Sequence, residues 1–293
     1  MDGVIVVDKP EGWTSHDAVN KFRRIATIKR VGHLGTLDPV ATGVLPLVIG
    51  RATRLAQFYV RSDKIYEGVV RFGWSTDAYD STGAATSAKV EVTLDAVELE
   101  RVLDRFRGEF LQMPPPISAK KIAGRRAYEL ARRDVAVELK PVPVHIYELL
   151  LLEVNGPEAR LRAHCSGGTY LRSLAHDLGQ ALGCGAHLQQ LRRTASGEFD
   201  IAQARTLTQL EALAAEERLV DALIPMADLL PGMPGVYVDE NIASQIRHGR
   251  NFAASPFRSQ PAAQHVKALT HHGELVAIGE AVLPNVYHPI VVL

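Results

Sequence analysis

Cysteine and long apolar segments are scarce in this chain. It has 293 residues and two cysteines, Cys165 and Cys184, which do not form a C-x-x-C pair. A disulfide or zinc framework is therefore not indicated, and a reducing compartment fits. No apolar segment approaches the roughly 20 residues of a membrane helix, and the run Val4 to Val7 is too short for a signal peptide. We expect a soluble cytoplasmic protein.

An excess of charge of either sign is also missing, because 33 Lys and Arg balance 33 Asp and Glu. A nucleic-acid partner is still compatible with this balance, because affinity for phosphate depends on local basic surfaces. The stretch from Arg101 to Arg133 is one such basic region, although a solvated face is the commoner meaning of a charge run. Hydrophobic residues (46%) and charged residues (23%) occur at globular frequencies, which argues against disorder.

The hydrophobic pattern predicts mixed α and β structure in two domains. The length exceeds that of one typical core, and Pro and Gly cluster from Ile224 to Gly235. We place a larger domain at 1–228 and a small β-rich domain at 234–293. Strands are predicted at 3–8, 44–49, 64–72, 144–154 and 159–165, and in the second domain at 264–269, 274–282 and 289–293; helices are predicted at about 15–25, 93–106 and 169–182.

The segment Gly32 to Gly43, GHLGTLDPVATG, has the most unusual composition in the chain. Three glycines, one histidine and one carboxylate, Asp38, precede an apolar strand, and glycine permits close approach of the backbone to a ligand. The segment matches neither the P-loop nor the G-x-G-x-x-G pattern. A loop of this composition is more often structural than functional, and Asp38 before Pro39 could be a turn residue.

The complete string nevertheless resembles the catalytic motif G-H-x-G-x-L-D-P-x-A-T-G of the TruB family of tRNA pseudouridine synthases. Further blocks resemble that family in the same order, and together they cover most of residues 3–200: VDKPEG at 7–12, KIY at 64–66, CSGGTYLR at 165–172 and LGCGAHLQQLRR at 182–193. The resemblance implies an α+β catalytic domain with a central, mostly antiparallel sheet, followed by a small PUA-like β-barrel.

The same resemblance implies an isomerase that converts a uridine into pseudouridine, at position 55 in the T loop of tRNA. Asp38 would be the nucleophile, because a carboxylate is ionised at neutral pH and needs no partner base. Whether it attacks C6 of the base or C1′ of the ribose stays open. By resemblance, the substrate-binding residues around Asp38 are His33, Tyr66, Tyr170, Arg172 and Leu191.

Each of these five residues has an expected role. Arg172 would hold Asp38 ionised and oriented. Tyr66 would stack on the flipped uracil and take part in proton transfer, while Tyr170 and Leu191 would form walls of the base pocket. Extrusion of a base costs a few kcal/mol, and His33 would offset part of that cost by stacking into the vacated space.

Isomerisation requires no cofactor and no metal, and the sequence shows neither a phosphate loop nor clustered metal ligands. His271-His272 and His164-Cys165 are too isolated to count as ligand sets. A glycosidase would need a second carboxylate, which only folding could bring to Asp38, from Asp8 or Asp63. The hydrolase alternative is therefore weaker.

The basic segment 113–139 resembles the RNA-gripping insertion of stand-alone bacterial members, so we expect tRNA as partner and no guide RNA. The fixed charges of the small domain balance, which favours shape contact with the acceptor end of tRNA. Two alternatives remain open: a guide-RNA-dependent synthase and an RNA-folding helper in which chemistry is secondary. The sequence has no exposed apolar heptad, so we expect a monomer.

Overall fold

The fold described here comes from a computed structural model. It describes residues 1–116, 139–253 and 263–293, together with the backbone of 121–122 and 125–126. Most of the basic segment 113–139 therefore lies outside the described residues. The sequence pattern also predicts a helix in the second half of 118–133, and most of that part lies outside them as well. Its described backbone forms one short antiparallel pair, Lys121–Ile122 with Arg125–Arg126.

A ten-stranded sheet organises the first 225 residues. Its strands are β1 Gly3–Lys9, β2 Val31–His33, β3 Ala41–Ile49, β4 Lys64–Phe72, β5 Gly108–Gln112, β8 Val142–Asn155, β9 Glu158–Cys165, β10 Ala186–Ser196, β11 Phe199–Asp200 and β12 Ile224–Pro225, with β6 and β7 being the short pair at 121–122 and 125–126. The order of the strands along the sheet is β12-β1-β3-β10-β4-β9-β8-β5, and in addition β2 pairs with β3 and β11 pairs with β10. Only the β3–β10 pair is parallel among the described ladders of this sheet, so the expectation of a mostly antiparallel sheet is confirmed.

Four helices of the described residues pack on one face of this sheet through a shared core that includes Phe22, Leu99, Leu174 and Leu210. The helix α1 begins after Thr14, whose side chain caps it together with Asp17 in a capping box. Asp95 likewise caps α2. The helices are α1 Ser15–Ala26, α2 Ala96–Asp104, α3 Leu171–Ala181 and α4 Leu207–Ala215, and 3₁₀ turns occur at Gly50–Tyr59, Leu219–Ala222 and Met226–Asp228.

The strand β1 is apolar at consecutive positions because both of its faces are covered. Ile5 and Val7 belong to the core under the helices, whereas Val4 and Val6 belong to a second core on the opposite face. That second core also contains Leu55 of the 3₁₀ turn and residues of the C-terminal sheet. A continuous apolar run is typical of a strand that is buried on both sides.

The C-terminal residues form a separate curled sheet of five strands in the order β13-β15-β16-β17-β14. Among the described residues β13 and β14 are its two edges, so the strands form a half-barrel consistent with a PUA-like domain. Lys267 is buried and donates to the carbonyl oxygens of Ala227 (3.0 Å) and Leu229 (2.9 Å). The elements are β13 Gly235–Val238, α5 Glu240–Arg247, β14 Phe252–Ala253, β15 His265–Thr270, β16 Leu275–Leu283 and β17 Val286–Val292.

Most of the elements predicted from the sequence are present with shifted ends. The loop expected from Gly32 to Gly43 is shorter, because Val31–His33 pairs with β3 and β3 already begins at Ala41. The helix expected at 93–106 spans only Ala96–Asp104. The edge strand β5 was missed. Within the described ranges no helix has the length and apolar character needed to span a bilayer.

Candidate active site

The loop that carries Asp38 is held in place by α1 and by the turn after β1. Ser15 is buried at the start of α1, and its Oγ accepts from the Leu37 amide (2.8 Å) and donates to the Leu37 carbonyl (3.1 Å). The Gly12 amide donates to the Pro39 carbonyl (2.8 Å). The residues on both sides of Asp38 are thus fixed by contacts to earlier parts of the chain, which leaves its side chain half-exposed.

Arg172 of α3 contacts Asp38 directly. Its Nε donates to Asp38 Oδ2 at 2.9 Å. The Arg172 side chain is 6% exposed and the Asp38 side chain 39% exposed, so the cation is buried and the carboxylate is partly open to solvent. A charge-assisted hydrogen bond of this kind fixes the orientation of the carboxylate. The structure therefore brings together the two residues for which the resemblance implied contact.

Asp80 is a second carboxylate beside Arg172, and sequence reasoning missed it. Arg172 Nη1 donates to the Ala78 carbonyl (3.1 Å) and lies 3.7 Å from Asp80 Oδ2. Asp80 is itself buried, and its Oδ1 accepts from the amide and the hydroxyl of Thr82 (3.0 and 2.6 Å). The loop after β4 thus contacts Nη1 of the guanidinium, while Nε of the same group contacts Asp38. A buried cation requires such partners.

A ring stack fastens this loop to α3. The rings of Tyr79 and His176 lie 3.8 Å apart and 10° from parallel. Tyr79 has a φ of 63°, a left-handed conformation that is costly for a bulky residue. Burial lowers the pKa of His176, which favours the neutral imidazole in the stack. Tyr79 lies between the two residues that contact Arg172, so the stack fixes both of those contacts.

Tyr66 is buried on β4 and lies directly opposite Arg193 of β10. The Arg193 guanidinium is fully buried and hydrogen-bonds to the Tyr66 hydroxyl. It also donates from Nε to the Val44 carbonyl (2.8 Å) and from Nη2 to the Gly35 carbonyl (2.9 Å). Burial raises the pKa of Tyr66 while Arg193 opposes that rise, so Tyr66 stays a neutral phenol. Arg193 thereby connects Tyr66 to the Asp38 loop.

A narrow apolar pocket begins beside Tyr66. Leu191 and Leu171 contribute to it, and they neighbour the Asp38–Arg172 pair because Leu191 pairs with Ala41 and Leu171 precedes Arg172. A flat ring of low polarity suits such a lining. The complete set of lining residues is Tyr66, Gly68, Val70, Leu149, Leu161, Ala163, Leu171, Leu174, Ala175, Leu188 and Leu191.

The remaining two expected residues flank this region. His33 is half-buried at the end of β2, opposite Leu47 of β3, and immediately precedes the Asp38 loop. Tyr170 is half-buried in the position before α3, two residues from Arg172. Tyr170 does not line the apolar pocket described above, so its expected role as a wall of the base pocket remains a prediction.

Buried lysines add positive charge around Asp38. Lys9 is fully buried and donates to the carbonyls of Pro10 (2.8 Å) and Trp13 (2.7 Å). Burial lowers its pKa to about 8, and the charge of Asp38 opposes that shift. Burial also lowers the pKa of Lys64, which donates to the Ser62 carbonyl and lies near Arg193. These two lysines thus add cationic groups to the buried guanidinium groups of Arg172 and Arg193.

The carboxylates considered for a hydrolase are engaged elsewhere. Asp8 forms a two-point pair with Arg192 (2.8 and 3.1 Å). Asp63 accepts from the Tyr147 hydroxyl at 3.2 Å. Neither contacts Asp38 among the described interactions. A group of three or more His, Cys, Asp or Glu side chains that could hold a metal ion is not found in the described part of the chain.

Two family models match consecutive parts of the sequence. The TruB family pseudouridylate synthase N-terminal domain matches residues 23–171. The C-terminal domain of tRNA pseudouridylate synthase B matches residues 172–231. Their junction falls just before Arg172, so the Asp38–Arg172 pair joins the two matched regions.

Curated relatives and solved structures agree with these matches. The chain is 72% identical to a tRNA pseudouridine synthase B of Solibacter usitatus over all 293 residues, with both chains fully covered. A tRNA pseudouridine synthase B of Aquifex aeolicus is 42% identical over 252 residues, 85% of this chain and 86% of that one.

Among solved structures, a Cbf5–Nop10–Gar1 complex has a chain with a TM-score of 0.73 and 29% identity, covering 97% of this chain and 79% of its own. A chain in the structure of an H/ACA RNP bound to a substrate RNA containing 2′-deoxyuridine has a TM-score of 0.72 and 27% identity, and the match covers 99% of this chain and 84% of that one. The family matches and the identity across the whole length agree with the motif around Asp38. The chain is therefore an isomerase that belongs to the TruB family of pseudouridylate synthases.

Proposed function

We propose that this chain converts the uridine at position 55, in the T loop of tRNA, into pseudouridine without a guide RNA. The observation that carries the proposal is the Asp38–Arg172 ion pair beside an apolar pocket, within a sequence that matches relatives named tRNA pseudouridine synthase B. An oriented carboxylate next to a lining for a flat ring suits chemistry on an extruded base.

Asp38 is the nucleophile in this proposal. Its carboxylate attacks the target nucleotide at C6 of the base or at C1′ of the ribose, and the bond from N1 to C1′ breaks. The freed uracil turns, a bond forms from C5 to C1′, and Asp38 is released. The proton leaves C5 and one is gained at N1, so the product has the same atoms as the substrate and no cofactor is consumed. Arg172 keeps the carboxylate of Asp38 oriented throughout.

The residues around the pair support extrusion of the base. The pocket beside Tyr66 and Leu191 is narrow in this structure and widens to receive the uracil, and the Tyr66 ring stacks on it. Tyr66 accepts a hydrogen bond from Arg193, because a guanidinium only donates. The Tyr66 proton is therefore available for donation toward the base. His33 stacks into the space that the base leaves. Tyr170, which lies outside the present lining of the pocket, contacts the uracil from the side of α3 once the base has entered.

Recognition of the T loop rests on shape, because RNA helices expose little sequence information to side chains. The basic segment 113–139 grips the RNA arm, and the C-terminal half-barrel contacts the acceptor end. The solved neighbours belong to a Cbf5–Nop10–Gar1 complex and to an H/ACA RNP bound to a substrate RNA, whereas the sequence relatives at higher identity are named for tRNA. These names favour a stand-alone enzyme, and we propose that it acts as a monomer.

The test uses an unmodified tRNA transcript, the purified protein and no added cofactor or RNA. Pseudouridine is mapped by chemical adduct formation and primer extension. We expect modification at the T-loop uridine alone, loss of product in Asp38→Asn, and normal product in the matched control Asp63→Asn. Binding without product in the wild type would overturn the stand-alone proposal and favour a guide-dependent or RNA-folding role.

A further inference from the structure

The side chain of Gln112 makes a two-point contact with the backbone of Tyr170. Its Oε1 accepts from the Tyr170 amide at 2.8 Å, and its Nε2 donates to the Tyr170 carbonyl at 3.0 Å. Gln112 is 1% exposed, and it ends β5 at the edge of the ten-stranded sheet. The side-chain amide of Gln112 thus satisfies both the N–H and the C=O of Tyr170, as the backbone of a neighbouring strand would do, although the two residues are 58 positions apart.

This contact fixes the residue that immediately precedes α3. Tyr170 occupies the N-cap position of α3 with an extended backbone and makes no side-chain capping hydrogen bond. Its carbonyl also accepts from the Leu174 amide at 3.1 Å. A second contact lies one turn further on, where Ser173 Oγ donates to the Met113 carbonyl at 2.7 Å. The first turn of α3 is therefore fastened to the end of β5 at three hydrogen bonds.

The fastened turn is the one that supplies the active site. It contains Leu171, which lines the apolar pocket, and Arg172, whose Nε contacts Asp38. A helical turn moves as a unit, so a rotation at Tyr170 displaces both side chains. Misplacement of an active-site group by 1 Å can cost about 100-fold in rate. The contact that fixes this turn is therefore expected to influence the rate of the reaction.

We propose that Gln112 is a positioning residue: it sets Tyr170 and the first turn of α3 relative to Asp38 and does not touch the substrate. The proposal rests on the proposed function, since the rate in question is that of pseudouridine formation. The strand β5 that carries Gln112 pairs only with β8 among the described strands of the sheet. The placement of α3 therefore depends on a short edge strand as well as on its own packing.

The experiment compares Gln112→Met, which has a similar length and makes neither hydrogen bond, with Glu109→Gln. Glu109 lies on the same strand with its side chain 85% exposed, so this change is the matched control. Gln112→Asn, too short to reach Tyr170, is the second variant should Gln112→Met not fold. Backbone hydrogen exchange of a peptide covering 166–175 is measured beside the single-turnover rate at saturating tRNA transcript and the transcript Kd.

We expect faster exchange in 166–175 and a rate about 10- to 100-fold lower in the Gln112 variants, with the Kd within about threefold of wild type. The control should match wild type in all three.

Unchanged exchange in 166–175, or an unchanged rate in the Gln112 variants, would overturn the positioning role. Absence of product in the wild type would instead defeat the proposed function. The exchange measurement would still decide whether Gln112 holds α3.

Discussion

Arg172 and Asp38 form an ion pair across 134 positions of sequence, with Nε and Oδ2 2.9 Å apart. The Arg172 side chain is buried, whereas the Asp38 carboxylate is partly open to solvent. The buried partner is thus the one that positions, and the accessible partner is the one that can react. This asymmetry leads to the first prediction.

Arg172→Met should lower both activity and stability. The change removes the partner of Asp38 and leaves Asp80 as an uncompensated buried carboxylate, a loss of about 3–5 kcal/mol in unfolding free energy. Arg172→Lys should recover part of the stability and little of the rate, because an ammonium cannot reproduce a planar guanidinium that contacts two carboxylates and a carbonyl. Denaturant unfolding and single-turnover rates check both variants. Equal rates for Arg172→Lys and wild type would contradict the argument.

Asp80→Asn should slow the reaction while leaving tRNA affinity intact. The amide oxygen can still accept from Thr82, so the loop keeps its shape, but the charge behind Arg172 is lost. We expect a loss of about tenfold, equivalent to about 1.4 kcal/mol. Asp77→Asn is the matched control: it is exposed on the same loop and its oxygen still accepts from Ala84. A normal rate for Asp80→Asn would show that this carboxylate does not act on the pair.

Gly43→Ala should disrupt the pairing of β3 with β10. Gly43 has a φ of 98°, and a Cβ there would lie 2.2 Å from the Arg193 carbonyl oxygen. We expect a loss of about 4 kcal/mol or more, the range of severe core changes. Gly12→Ala is the control, since its φ is 79° and no atom lies within 4 Å of the added Cβ; left-handed strain alone costs about 1–2 kcal/mol. Thermal unfolding of both variants gives the comparison. Equal losses of stability in the two variants would contradict the explanation by close contact with Arg193.

Asp177→Asn should stabilise the protein at neutral pH. Burial raises the pKa of Asp177 to about 6 from 3.8, so the folded state binds more protons than the unfolded state between these values. The contribution of Asp177 to the free energy of unfolding therefore falls as pH rises from about 4 to about 6, and the buried charge destabilises the protein by its full amount above pH 6. After allowance for partial exposure, we expect a gain of about 1 kcal/mol at pH 7.5 and none at pH 4. Urea unfolding at both pH values is the test, and a gain of the same size at both would exclude this origin.

Local patterns in the sequence were sufficient for much of the fold. Thr14 and the apolar spacing of α1 identify that helix, and alternation identifies β4. The strand β2 was not predicted, and β3 begins earlier than predicted, because the ends of these strands are decided by pairing and not by composition: Gly32 joins a ladder with Val48. The order of the strands could not be predicted either, since the parallel β3–β10 contact joins segments about 150 positions apart.

The sequence by itself determined the family and the reactive candidate, because a motif of adjacent residues around Asp38 is visible without a fold. It also determined Arg172 and Tyr66 through their own short motifs. Only the tertiary structure decided which groups hold them. Asp80 and Gln112 lie in no motif that was recognised, and both act on α3 from 58 or more positions away. The physical reason is that a nucleophile requires a particular residue type, whereas its support requires only a polar atom at the right place, and place is a property of the folded chain.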